Sequence, residues 1–218
     1  MDHRRAHLVL ILALTFSTGV VDAVGYLDLD RVFTANMTGN VVMLGMALLG
    51  SEDLPVARLA LAPAGYLVGA ALAAWVLRAA RGGWSTRTSA LLGTVAGVVL
   101  VLALVLPRLG AHPADPVGSV VTSVLAMAMG MQGATAGCVA VEDVTSVVVV
   151  STITALAADF LPGRKALWRP HLVVVALILL GAAAGAGLLQ WNITPALMLS
   201  SVITGGVAIA GHRAARET

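Results

Sequence analysis

The chain has 218 residues, 59% of them hydrophobic and only 11% charged, with a mean hydropathy of +0.95. A soluble domain carries about a quarter charged residues, so this composition cannot cover a water-facing surface, and it excludes a large extramembrane catalytic domain. The formal charge of +2 is too even for a nucleic-acid binder; the basic residues fall in short clusters between apolar runs, where they act as topology signals.

Eight apolar segments follow one another: Leu8–Tyr26, Val32–Leu49, Val56–Leu77, Ser89–Leu106, Val117–Gly137, Val144–Phe160, Leu172–Gln190 and Ile193–Ala210. Arg4-Arg5 ahead of Leu8 looks like the start of a signal peptide, but Asp22 interrupts the cleavage region and further apolar segments follow, so the first segment is read as a retained helix. Charged or proline-containing turns separate most of the segments. Trp75, Trp84, Trp168 and Trp191 all fall near segment ends, where an interfacial aromatic belt would put them. The lone Cys138 excludes an internal disulfide or a cysteine-based metal cluster. The five His are scattered with no i, i+4 pair. No cofactor is expected.

The two halves, 8–107 and 117–211, look related within a single transmembrane domain spanning 1–218. Gly19 and Ala23 recur 111 positions later as Gly130 and Ala134, and Thr34 recurs as Thr145. The Gly65/Gly69 pair recurs at an offset of 116 as Gly181/Gly185. Transporter folds are often built from such repeats.

Two topologies compete. If all eight segments span, nine of the thirteen Lys/Arg are cytoplasmic; if the second and sixth return to the side they came from, ten are. Both doubtful segments are short and begin with polar stretches unsuited to lipid. The expected fold is therefore all-α, with six transmembrane helices plus two re-entrant or broken ones, the halves inverted; eight full spans is the alternative. The expected location is the bacterial inner membrane, with both termini cytoplasmic.

The most informative stretch runs from Gly19 to Asn40. Asp22 lies inside an apolar helix, where a carboxylate costs ~2.5–3.5 kcal/mol on insertion scales, so it must face a partner, water or a cavity. Thr15, Gly19, Asp22 and Tyr26 fall on one helix face, a polar and small-residue stripe turned to the protein interior. Asp22 reads either as a proton-titrating or cation-binding carboxylate or as a structural acceptor that fixes the neighbouring break. Val32-Phe33-Thr34 suits extended backbone. Asn36, Thr38 and Asn40 precede the apolar run from Val41 as candidate N-caps, and Gly39 allows close backbone approach. A helix starting there would point free N–H groups into the membrane, as broken helices of transporters do. From the second half Gln132 stands near the position of Asp22 in the repeat, with Thr145 further on. Glu142-Asp143 and Asp159 read as solvated acids, and Met127, Met129 and Met131 as core filling. The pairs Gly65/Gly69, Gly93/Gly97 and Gly181/Gly185 read as internal helix contacts in preference to dimerisation, which leaves a homo-oligomer open.

Gly19-x-x-Asp22-Ala23 and Val32-Phe33-x-Ala35-Asn36-Met37-Thr38-Gly39-Asn40 resemble the signature of the YoaK-type family of bacterial membrane proteins. Gly130-Met131-Gln132 matches that family's second-half glycine–glutamine element. The resemblance covers essentially the whole chain and implies a membrane location; the family is a domain of unknown function and implies little chemistry. Where the family often has an asparagine after the Gly-Gln and a second Thr-Gly, this chain has Gly133 and Ser151-Thr152.

The reading is a small secondary transporter or permease for a small polar or anionic solute, with Asp22 as the candidate proton carrier. Asn36, Thr38, Gly39 and Asn40 would contact solute, and Gln132 and Thr145 would answer from the other half. The partners expected are the lipid bilayer and that solute. The alternative is a non-transporting membrane scaffold or assembly protein. No nucleophile elbow, HExxH, phosphate loop or haem-type His pair is present, so no enzymatic activity is expected.

Overall fold

The computed structural model describes residues 3–50, 54–78, 83–109, 117–139 and 168–216. Over these residues the regular structure is all helix, without a strand. The helices are α1 (His3–Asp28), α2 (Met37–Leu48), α3 (Val56–Leu77), α4 (Thr86–Leu109), α5 (Val117–Val139), α6 (Trp168–Leu189) and α7 (Ile193–Arg216). All but α2 are long and apolar enough to cross a membrane. The sixth apolar segment, Val144–Phe160, lies outside the described residues, as do Glu142-Asp143, Ser151-Thr152 and Asp159.

The end of α1 is set by backbone conformation. Asp30 and Arg31 have φ of 57° and 60°, and two successive left-handed residues cannot continue a right-handed helix. The conformation is strained for side-chain-bearing residues and needs surrounding structure to hold it. Arg58, in the first turns of α3, supplies one tie: its buried guanidinium lies 2.6 Å from the Asp30 carboxylate. The chain then runs without helix through Val32 and Phe33, bends at Thr34 and Ala35 and reaches Asn36, where α2 begins. With 12 residues, α2 is roughly 18 Å long at 1.5 Å per residue, against the ~30 Å of a bilayer core.

Helix directions follow from the contacts. α1 runs opposite to α3, since Asp30 meets Arg58 at one end and Asp22 lies within electrostatic range of Tyr66 further along. α3 therefore starts on the face where α1 ended, and α2 enters and leaves on that same face. α4 and α7 are antiparallel: Thr194 Oγ1 donates to the Ala103 carbonyl (3.1 Å) and Ser201 Oγ to the Ala96 carbonyl (2.8 Å), while Trp84 packs on Gly211. Eight successive crossings would make α4 and α7 parallel. α1 is likewise antiparallel to α5, through Thr18 with Gln132 and Leu14 clustered with Ala136. The start of α1 and the ends of α5 and α7 consequently share one face of the bundle, where His7 lies beside Trp84 with ring centroids 5.9 Å apart.

Small residues let the central helices touch through backbone. A side chain at Gly65 or Gly69 would strike the carbonyls of Ser123 or Met127, and one at Gly130 that of Tyr66, joining α3 to α5. Gly181 and Gly185 likewise meet the carbonyls of Phe16 and Val20, and Gly19 that of Ile178, joining α6 to α1. Two of the three GxxxG pairs are thus internal contacts. The third departs from expectation: Gly93 and Gly97 face open space on the outside of α4. The core between these crossings is Val20, Val21, Val24, Leu125, Met129 and Leu197, all 2% exposed or less, with Met129 a filler as expected.

Candidate solute site

Asp22 lies six residues before the end of α1, roughly 9 Å into the helix at 1.5 Å per residue. Its Oδ1 accepts from the Thr34 N–H (2.9 Å), the Thr34 hydroxyl (3.1 Å) and the Ala35 N–H (2.7 Å). Gly25, one turn on, makes room for this docking: a side chain there would collide with the Val32 carbonyl and the Thr34 methyl. The extended segment is therefore folded back onto α1 and tied to it by one carboxylate oxygen. The Asn36 N–H also bears on the Asp22 carboxylate, and Asp22 is half-buried.

Asn40 closes the other side of the segment. It is fully buried, its Oδ1 accepts from the Phe33 N–H (2.9 Å), and its Nδ2 donates to the Phe33 carbonyl (2.6 Å). Asn36 is the N-cap of α2, accepting from the Gly39 N–H at 3.3 Å. Gly39 sits under the Phe33 ring, which stacks on Tyr26 with centroids 4.9 Å apart.

Asp22, Asn36, Gly39 and Asn40 thus come together around one break. Thr38 is exposed and makes none of these bonds; Thr145 lies outside the described residues. Several N–H groups at and just before the helix start are already engaged: Asp22 takes those of Thr34 and Ala35, Asn40 that of Phe33, the Ala35 carbonyl that of Met37, and Asn36 that of Gly39. The expected inward stripe is also altered. Thr15 bonds its own helix at the Ile11 carbonyl and Tyr26 is 38% exposed. The face that meets the break is Thr18, Asp22 and Gly25.

Gln132 belongs to a second polar layer, one turn along α1. Its Nε2 donates to Thr18 Oγ1 (3.2 Å) and its Oε1 accepts from Thr204 (3.1 Å), so it does not bond Asp22 as the repeat position suggested. Ser17 joins Ser200 (2.7 Å) and Thr204 (3.3 Å) in the same layer. Sequence reading missed Tyr66, Ser17, Thr18, Ser200 and Thr204. The i, i+4 spacing of Ser200 and Thr204, and of Thr18 and Asp22, was the available signal. Tyr66 had none, because only the α3–α5 crossing sets its hydroxyl against Gly133, within electrostatic range of Asp22. Among the described residues no group of His, Cys, Asp and Glu could hold a metal ion.

Six apolar crossings around a polar break define a multi-pass, α-helical membrane protein. The chain belongs to the family described as "Protein of unknown function (DUF1275)", whose sequence model matches residues 10–210. It is similar to the UPF0700 transmembrane protein YoaK of Bacillus subtilis (strain 168), with 30% identity over 151 residues, 69% of this chain. The matched stretch spans 65% of that relative's length. The YoaK-type resemblance read from the Asp22 and Asn36–Asn40 motifs is therefore shown. No solved structure matches.

Proposed function

We propose that the chain is a small secondary carrier of the bacterial inner membrane, moving a small polar solute past Asp22, with both termini cytoplasmic. The observation that carries this reading is the division of labour on Asp22. Oδ1 takes the bonds to Thr34 and Ala35 that hold the break together, so Oδ2 is the oxygen that can take a proton. Protonating Oδ2 leaves all three bonds to Oδ1 in place, so the group can change charge without dismantling the site. A carboxylate retained at membrane depth is by default a functional feature.

Pseudo-symmetry supports the same reading. Gly130 meets Tyr66 as Gly19 meets Ile178, and Gly69 meets Met127 as Gly181 meets Phe16. These pairs relate α1 to α5 at an offset of 111 and α3 to α6 at 112. The GxxxG motifs therefore correspond one turn away from the 116 register, with Gly69 matching Gly181. The antiparallel course of α1 and α5 supports reading the halves as inverted repeats, an arrangement on which carriers are built. The self-satisfied layer of Ser17, Gln132, Ser200 and Thr204 favours the second reading, a non-transporting scaffold.

Solute profiling of a deletion strain, followed by uptake into proteoliposomes, decides between them. Asp22→Asn keeps an acceptor for Thr34 and Ala35 but removes titration, so it should abolish pH-driven uptake in a protein that still folds and inserts. Unchanged uptake with the same pH dependence removes Asp22 from the mechanism. Asp22→Leu should fail earlier, since it strands two backbone N–H groups at about 1–3 kcal/mol each, visible as loss of monodisperse protein in detergent.

A further inference from the structure

Two arginines stand together where α3 ends and α4 begins, on the face of the bundle that holds the start of α1. Arg78 is the last residue capping α3 and Arg87 lies in the first turn of α4; both are exposed. Among the described residues neither meets an acid, whereas Arg58 at the opposite face is paired with Asp30. Both guanidinium groups are nonetheless held. Arg87 reaches back across the connection and donates through one nitrogen to the Val76 carbonyl at 3.0 Å. Arg78 lies over the Trp75 ring, 5.1 Å from its centroid, a cation–π contact. Trp75 and Val76 are consecutive residues, so both positive charges are fixed on the last turn of α3.

The helix end adds to the demand for negative charge. The first turn of α4 carries no acidic residue and has Arg87 instead, although a helix N-terminus favours an anion. The surroundings are those of a lipid. Trp75 is 61% exposed, and indole marks the boundary between head groups and acyl chains. The guanidinium over it therefore lies at phosphate level. Leu72 and Val68, one and two turns deeper on the same side of α3, are exposed as well. On α4, Ala90, Thr94 and Gly97 continue one face below Arg87; all three are exposed and short, and Gly97 faces open space. That face leaves room for an acyl chain against the helix.

We propose that Arg78 and Arg87 bind the head-group phosphate of an anionic phospholipid, whose chains lie along Leu72 and the Ala90–Gly97 face. Arginine forks match phosphate oxygens two at a time, and basic positions between membrane helices are where such head groups bind. A zwitterionic lipid brings its own ammonium and gains less. The site rests on the six crossings and is independent of the carrier reading.

The test is native mass spectrometry of the full chain in non-ionic detergent, titrated with phosphatidylglycerol, phosphatidylcholine of the same chains, or glycerol 3-phosphate. Phosphatidylglycerol should bind about tenfold more tightly than phosphatidylcholine, and glycerol 3-phosphate should not compete at matched concentration. Arg78→Gln with Arg87→Gln should reduce phosphatidylglycerol to the phosphatidylcholine level. Arg213→Gln with Arg216→Gln, an equal loss of charge on the same face, should leave the preference intact. A second reading needs no arginine variant: in bilayers, brominated phosphatidylglycerol should quench the wild type more than Trp75→Phe, and brominated phosphatidylcholine should not distinguish them. Equal affinity for the two lipids overturns the site. A preference that survives the Arg78/Arg87 change, or that falls equally with Arg213/Arg216, assigns it to the general charge of the face and overturns the site too. Glycerol 3-phosphate binding as tightly as phosphatidylglycerol overturns the lipid in favour of a free phosphoester.

Discussion

Asn40 gives Phe33 what a neighbouring strand would otherwise supply: an acceptor for its N–H and a donor for its carbonyl, both from one amide. The extended segment has no strand partner, so without Asn40 two backbone groups of Phe33 would be buried unpaired at about 1–3 kcal/mol each. This makes Asn40→Asp a sharp test, because the substitution is nearly isosteric. The carboxylate still accepts from the Phe33 N–H, but its second oxygen then faces the Phe33 carbonyl with no proton between them. We expect a loss of about 2–3 kcal/mol, read as a lowered thermal midpoint in detergent at neutral pH. An unchanged midpoint would mean that Asn40 does not hold Phe33. Thr38→Ala, by contrast, removes an exposed side chain outside this bonding pattern and should shift stability by no more than about 0.5 kcal/mol.

At the scale of the element, backbone contact decides which glycines matter. Gly130 is closed by the Tyr66 carbonyl and Gly69 by that of Met127, whereas Gly93 and Gly97 face nothing. A backbone carbonyl cannot rotate away as a side chain can, so Gly130→Ala must force α3 and α5 apart, at about 1–3 kcal/mol. Gly93→Ala and Gly97→Ala should be neutral or stabilising, since alanine restricts the unfolded chain and favours helix. Thermal unfolding of the three single variants checks the split; equal losses at 93 and 130 would place an unseen partner on α4. The sequence made the spans legible, because hydropathy and turn residues mark them directly: α3 begins and ends at Val56 and Leu77, where its apolar run does. The helix start at Asn36 was legible too, since amide and hydroxyl residues ahead of an apolar run have one physical use as caps. Gly93/Gly97 was not. Glycine spacing says that a backbone can approach, not that one does. Tyr66 was hidden for the same reason, since its approach to Asp22 is a property of two crossings and not of any local pattern.

For the whole molecule, the directions of α1, α3, α4, α5 and α7 admit one set of sides, and thiol labelling can read it. Cys138 is exposed at the end of α5, on the face shared by the start of α1 and the end of α7. Thr86, exposed at the start of α4, lies on that face as well, and is a better reporter than Trp84, which is engaged with Ser89 and Gly211. Leu49, 87% exposed just after α2, lies on the opposite face, because α2 returns to the side where α1 ended. Of the ten Lys/Arg among the described residues, seven (Arg4, Arg5, Arg78, Arg87, Arg169, Arg213 and Arg216) belong to helix ends on the terminal face, which the positive-inside rule turns to the cytoplasm. A membrane-impermeant maleimide applied to intact cells should therefore leave Cys138 unmodified, and Thr86→Cys unmodified in a Cys138→Ser background. It should label Leu49→Cys in that same background. Permeabilised cells should expose all three. Labelling of Leu49→Cys and Cys138 from the same side would require α2 to cross, and α4 and α7 could then no longer meet as antiparallel helices through Thr194 and Ser201. A complete reversal, with Cys138 labelled and Leu49→Cys protected, would keep the six crossings and invert only the orientation, opening the Asp22 break to the cytoplasm instead of the outside.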